Sequence, residues 1–194
     1  MFDKIFDDHV ANHLNALSAI KKDKQNIEII ASMIATSYKK GGKLVICGNG
    51  GSASDAMHIA GELIGRYKSN RPPLDVISLN SDVSVMTCIA NDFGYENVFS
   101  RQLEGVAKQN DFLIGISTSG NSKNIYNLIM KANELGINHC FLGGKDGGTI
   151  KKIATNSIIV PSMLTASIQE MHIIIGHILC SFIEHQVYGI SDNE

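Results

Sequence analysis

Three glycines in four positions, Gly48, Gly50 and Gly51, are followed by His58 and Glu62 in the stretch CGNGGSASDAMHIAGEL. Glycines at such density let a backbone approach a ligand closely, and the N–H groups of a helix that starts there favour an anion. His58 and Glu62 stand four residues apart, so a helix opening at the glycines would present both on one face. A second stretch has the same character. Ser117-Thr118-Ser119-Gly120-Asn121-Ser122 offers hydroxyl donors and a glycine ahead of another helical pattern. Neither loop holds a lysine or the spacing of a nucleotide P-loop, and GNGGS departs from the dinucleotide fingerprint. The chemistry expected of the pair is therefore a cradle for one phosphate on a small molecule, such as a phosphorylated sugar, with no nucleotide cofactor.

A third set of polar residues, Gln169, His172 and His177, interrupts an apolar run near the C-terminus. Any one of them, taken singly, reads as a core group with its hydrogen bonds satisfied. With His58 and Glu62 they make a set suited either to general acid–base work or to zinc.

The elements that must position these residues follow from hydrophobic pattern. Short Ile/Leu/Val-rich runs at Lys43–Cys47, Leu74–Leu79, Phe112–Ser117, His139–Leu142 and Ser157–Val160 are apolar on both faces, as strands of a covered parallel sheet are. Helical patterns separate them at 52–66, 81–91, 96–108, 122–136 and 147–154. Two helices precede the first strand, at 3–21 and 25–40, and a last one spans 166–188. The alternation predicts a doubly wound α/β sheet. In a 2-1-3-4-5 strand order both polar loops would face one crevice at the carboxyl edge, where such sheets bind ligands. The last helix is apolar around nearly its whole circumference, which predicts burial all round, at a subunit interface.

A chain of 194 residues suits one domain, and 17 Lys+Arg against 19 Asp+Glu leave no basic surface for nucleic acid or an anionic membrane. The acidic N-terminus lacks a signal-peptide core, and the apolar run MHIIIGHILCSFI is too short to span a bilayer. Cys47, Cys88, Cys140 and Cys180 have no paired spacing, as expected of reduced, mostly buried thiols in the cytoplasm.

Six segments, CGNGGSASDAMHIAGEL, GRYKSNRPPLDVISL, ANDFGY, GISTSGNSKN, GGKDGG and IQEMHIIIGHILC, closely resemble the phosphoheptose isomerases of the sugar-isomerase (SIS) domain superfamily. The similarity is collinear over about residues 1–188. It implies a single SIS domain across 1–194: N-terminal helices at 1–40, an α/β core at 41–165 and a C-terminal interface helix at 166–188. The implied fold is a flavodoxin-like three-layer α/β/α sandwich with a five-stranded parallel sheet, whose terminal helices build a homotetramer. The implied reaction interconverts D-sedoheptulose 7-phosphate and D-glycero-D-manno-heptose 7-phosphate through an enediol(ate), the first step toward ADP-heptose and the lipopolysaccharide core.

By the same resemblance, Asn49, Gly50, Gly51, Ser52, Ser117, Thr118, Ser119 and Ser122 hold the substrate phosphate and hydroxyls. Asn91 and Asp92 touch the sugar, as do Glu62 and Gln169. Glu62 and His177 match the acid–base pair. His58, Glu62, Gln169 and His177 match the positions that hold one zinc per subunit. Gln169 and His177 are eight residues apart, roughly 12 Å along a helix, so one ion reaches both only if the side chains or the helix bend toward it. Ser167 departs from the arginine common before the IQE segment. A paralogue of the same fold, an adaptor that binds the DnaA replication initiator, also shares the IQEMH segment; it lacks equivalents of Glu62 and His177.

Overall fold

In a computed structural model describing residues 1–190, five parallel strands alternate with helices. The strands are β1 (Leu44–Cys47), β2 (Val76–Ser78), β3 (Phe112–Ser117), β4 (Asn138–Gly144) and β5 (Ser157–Val160). They lie side by side in the order β2-β1-β3-β4-β5, all pairs parallel. The order reverses at β1, so the ends of β1 and β3 are neighbours and their loops share one edge.

Seven α-helices are found among the described residues. α1 (Phe2–Lys22) and α2 (Lys24–Lys39) precede the sheet; α3 (Gly51–Ile64), α4 (Val83–Phe93), α5 (Val98–Val106) and α6 (Lys123–Leu135) follow its strands; α7 (Thr165–Tyr188) closes the chain. Strand periodicity sorts the core. Leu44, Ile46, Phe112, Ile114 and Leu142 face α1, α2, α3 and α7, while Val45, Cys47, Leu113 and Phe141 face α4, α5 and α6. Successive residues point to opposite faces, so strands apolar at every position need helices on both sides. That is the expected three-layer sandwich.

Two expectations change. The helix expected at 147–154 is only a short 3-10 turn, Ile150–Lys152. Gly147 and Gly148 stand at φ +88° and +56°, which no right-handed helix accommodates. The segment instead braces the loop after β3: Ile150 N–H donates to the Gly120 carbonyl at 3.0 Å and Thr149 N–H to Asn121 Oδ1 at 3.0 Å.

The last helix is the second. Its run was too short to span a bilayer, yet α7 has 24 residues and is long and apolar enough to do so by length and composition; half of its apolar window is buried inside the chain. Ile168, Met171, Ile175, Leu179, Cys180 and Ile183 are buried against α2, α3 and the sheet. Ile178 is left exposed.

His172, on the inner face of α7, is a core histidine: Nε2 pairs with the Gly143 carbonyl at 3.0 Å and Nδ1 has no partner. Burial pulls its pKa from 6.5 down to about 4, against that hydrogen bond. Between those values the unfolded chain binds a proton that the folded chain does not, so stability falls as pH drops through this window. We expect His172 alone to cost about 2–3 kcal/mol between pH 7 and pH 4.5. Denaturant unfolding of wild type and His172→Gln at both pH values checks this; equal losses in the two would contradict it.

Candidate active site

The loop after β1 is built for close approach. A Cβ on Gly48 would stand 2.6 Å from the Ser52 carbonyl, so the turn into α3 closes only around glycine. Asn80, just past β2, clamps that glycine from outside: Gly48 N–H donates to Asn80 Oδ1 at 3.1 Å, and Asn80 Nδ2 donates to the Gly48 carbonyl at 2.9 Å. Gly50 caps α3 at φ +57°, and Ser52 is buried in the first turn. The start of α3 thus stands at the carboxyl edge of the sheet, where the Ser52 N–H donates to the Asn49 carbonyl and the Ala53 N–H to that of Gly50, each at 3.0 Å.

Beside it, the loop after β3 gathers three hydroxyls. Ser117 Oγ lies 2.8 Å from Ser122 Oγ and 3.4 Å from Ser119 Oγ. Ser122 occupies the N-cap of α6 but makes no side-chain cap; its hydroxyl belongs to the cluster. The two loops touch through Asn49 and Asn124, whose amides pair at 2.9 and 2.8 Å. Asn91 and Asp92 sit exposed at the end of α4, bonded to each other at 2.7 Å. Their segment reaches the loops through Tyr95, whose hydroxyl donates to Asn49 Oδ1 at 3.0 Å.

His58, Glu62 and His177 come together between α3 and α7, one ligand atom from each lying within 4.8 Å of the others. His58 Nε2 is 3.0 Å from Glu62 Oε1, as the four-residue spacing required. The His58 and His177 rings meet edge to face at 5.2 Å, and the Tyr67 ring stacks on that of His177 at 5.4 Å. The Glu62 side chain is 23% exposed, so it is screened yet reachable. Asp55, one turn before His58, has a buried Oδ2 without a partner; burial pushes its pKa up against the pull of His58.

A buried ion pair fixes this arrangement from below. Arg71 Nε donates to Glu184 Oε1 at 2.9 Å, and both side chains are at most 2% exposed. The same guanidinium caps α3 by donating to the carbonyls of Glu62 at 2.8 Å and Leu63 at 2.6 Å. Glu184 accepts the Tyr67 N–H at 3.2 Å, which holds the loop carrying the ring that covers His177. Loss of one partner of such a pair would leave a buried charge uncompensated.

Gln169 faces the start of α3. Its Nε2 stands 2.2 Å from where a Cβ on Gly51 would be, so its amide rests on the start of α3. The two turns from Gln169 to His177, about 12 Å, run alongside those from Gly51 to His58. Three of the four expected metal residues, His58, Glu62 and His177, thus meet in one cluster, while the Gln169 amide reaches the start of α3. Ser167 is buried in the first turn of α7, and nothing in the structure explains the missing arginine. Sequence reasoning passed over Asn80, Asn124, Tyr95, Asp55, Tyr67 and the Arg71–Glu184 pair. Asp55, Tyr67, Arg71, Tyr95 and Asn124 nevertheless lie inside the segments that carry the resemblance, and Asp55 also stands three residues before His58.

The doubly wound sheet with two anion-type loops at its switch point defines the class, and residues 8–140 match the SIS domain. Phosphoheptose isomerase from Helicobacter pylori strain 26695 is 47% identical over 185 residues, covering 95% of this chain and 96% of its own. That from Akkermansia muciniphila is 46% identical over 180 residues, covering 93% and 94%. The solved structure of phosphoheptose isomerase from Neisseria gonorrhoeae superposes with a TM-score of 0.89 at 34% identity, covering 95% of this chain and 99% of that one. The chain belongs to the phosphoheptose isomerases of the SIS-domain family.

Proposed function

We propose that the chain interconverts D-sedoheptulose 7-phosphate and D-glycero-D-manno-heptose 7-phosphate, feeding ADP-heptose and lipopolysaccharide core synthesis. The observation that carries this reading is the joining of Glu62 and His177 in one cluster beside two loops fit for a phosphate. The loops hold the phosphate through the N–H groups of Gly50 and Gly51 and the hydroxyls of Ser52, Ser117, Thr118, Ser119 and Ser122. Asn49 donates to the phosphate, and Asn91, Asp92 and Gln169 receive the sugar. Glu62 takes the proton from C1 of the ketose as the electron pair moves into C1=C2, and His177 protonates the C2 oxygen. The proton on Glu62, which is 23% exposed, exchanges with solvent, and Glu62 then delivers a proton to C2 as the C1 hydroxyl passes its own to His177 and becomes the aldehyde. Each such group contributes about 10²–10⁴ in rate.

His58, Glu62 and His177 offer two nitrogens and an oxygen, donors that suit zinc. We assign one zinc per chain to these three residues together with Gln169; bound there, it would supply a Lewis acid for a sugar oxygen. Metal analysis of wild type and His58→Ala tests the assignment, which requires about one equivalent in the first and its loss in the second.

The chain acts as a homotetramer in the cytoplasm. Phe2, Phe6, Val10 and Leu14 form an exposed stripe on α1, and Leu17, Ile20, Ile174, Ile178 and Phe182 line an apolar groove between α1, α2 and α7. Exposed apolar surface of that extent fits further copies of the chain. Light scattering should give a tetramer mass at micromolar concentration; a monomer would contradict this. The second reading, an adaptor without activity, has no support among the relatives named above, and its marker, loss of Glu62 and His177, is absent here.

A further inference from the structure

Asn124 stands in the first turn of α6 and is 3% exposed, out of reach of a ligand. Its amide nevertheless faces the site through Asn49. Asn49 Nδ2 donates to Asn124 Oδ1 at 2.9 Å, and Asn124 Nδ2 donates back to Asn49 Oδ1 at 2.8 Å. The Ile125 N–H also donates to Asn124 Oδ1, at 3.0 Å. A backbone N–H can only donate, so this bond fixes which end of the Asn124 amide is oxygen, and with it the orientation of Asn49. The Tyr95 hydroxyl donates to the same Asn49 Oδ1 at 3.0 Å.

The donors and acceptors of Asn49 can then be counted. Both lone pairs of its oxygen and one of its two N–H bonds are engaged, leaving a single N–H in the phosphate loop. We propose that Asn124 and Tyr95 are positioning residues which hold Asn49 as a one-bond donor to a phosphate oxygen of the substrate. Through Asn49 they also keep three segments in register: the loop after β1, the start of α6, and the segment that follows Asn91 and Asp92. This rests on the isomerase reading above.

Two variants separate positioning from mere structure. Tyr95→Phe removes only a hydroxyl from a side chain that is half exposed. Asn124→Asp keeps the acceptor for Ile125 and places a carboxylate at a helix N-terminus, where it is favoured. It sets oxygen against the Asn49 oxygen, so the amide pair is broken. Each should raise the KM for sedoheptulose 7-phosphate about 5- to 20-fold, as expected for a weakened bond to a charged group, with kcat within about threefold and thermal midpoint retained. In an Asn49→Ala background both KM effects should vanish. That arm also separates positioning from charge repulsion by the new carboxylate, which would persist without Asn49. Unchanged KM in the single variants, or undiminished effects in the Asn49→Ala background, would overturn the proposal. Binding of inorganic phosphate, measured by calorimetry, keeps it separate from the reaction assignment. A wild type without turnover would overturn the isomerase reading, while weaker phosphate binding by both variants would still support the positioning role and unchanged binding would overturn it.

Discussion

Replacing His177 by asparagine should lower kcat about 10²-fold or more while leaving the fold and substrate binding nearly intact. His177 lies on the half-buried side of α7, between the His58 ring at 5.2 Å and the Tyr67 ring at 5.4 Å. Asparagine is close to histidine in size and still hydrogen-bonds, so the packing survives. It cannot exchange a proton near neutral pH, which imidazole can. Substrate should therefore still raise the thermal midpoint of the variant. Glu62→Gln should lose as much rate, and it should also abolish exchange of the carbon-bound proton with solvent. Steady-state kinetics with thermal-shift titrations checks both, and wild-type turnover in either variant would refute the acid–base assignment.

The second large effect is on binding. Ser119→Ala combined with Ser122→Ala should raise KM about 10²-fold or more, because hydrogen bonds to a charged group contribute about 1.5–3 kcal/mol each. The hydroxyls concerned cluster with Ser117 at 3.4 and 2.8 Å. Ser122 makes no side-chain cap on α6, so its loss should cost the helix little. The double variant is expected to keep its thermal midpoint without ligand and to lose the shift that substrate gives the wild type. An unaltered KM would remove the loop after β3 from the phosphate site.

What the sequence displayed of this arrangement follows from which forces leave a local trace. Runs such as LVIC and FLIGI hold no polar side chain, and a doubly covered strand requires that, so the sheet and the loop positions were readable. The face shared by His58 and Glu62 was readable from spacing alone. The segment at 147–154 misled because its apolar residues suit a helix, while the positive φ of Gly147 and Gly148 serves a turn that braces a neighbouring loop. The composition of the last helix shows that a surface is buried without showing by what. Asn80, Asn124 and Arg71 act on residues 32, 75 and 9 positions away, at Gly48, Asn49 and Glu62. No periodicity marks such partners, since the fold alone brings them together. The Gln169 position has the same origin: spacing along α7 set its distance from His177, and only the pairing of α7 with α3 set it on Gly51.

The central claim is that Glu62 moves a proton between C1 and C2 of a phosphorylated heptose. Proton magnetic resonance of sedoheptulose 7-phosphate incubated with the purified protein in deuterated water tests it most directly. The account predicts that an aldoheptose 7-phosphate appears carrying deuterium at C2, and that Glu62→Gln yields neither the product nor the label. Sedoheptulose 7-phosphate recovered unchanged and unlabelled from the wild-type protein would contradict it.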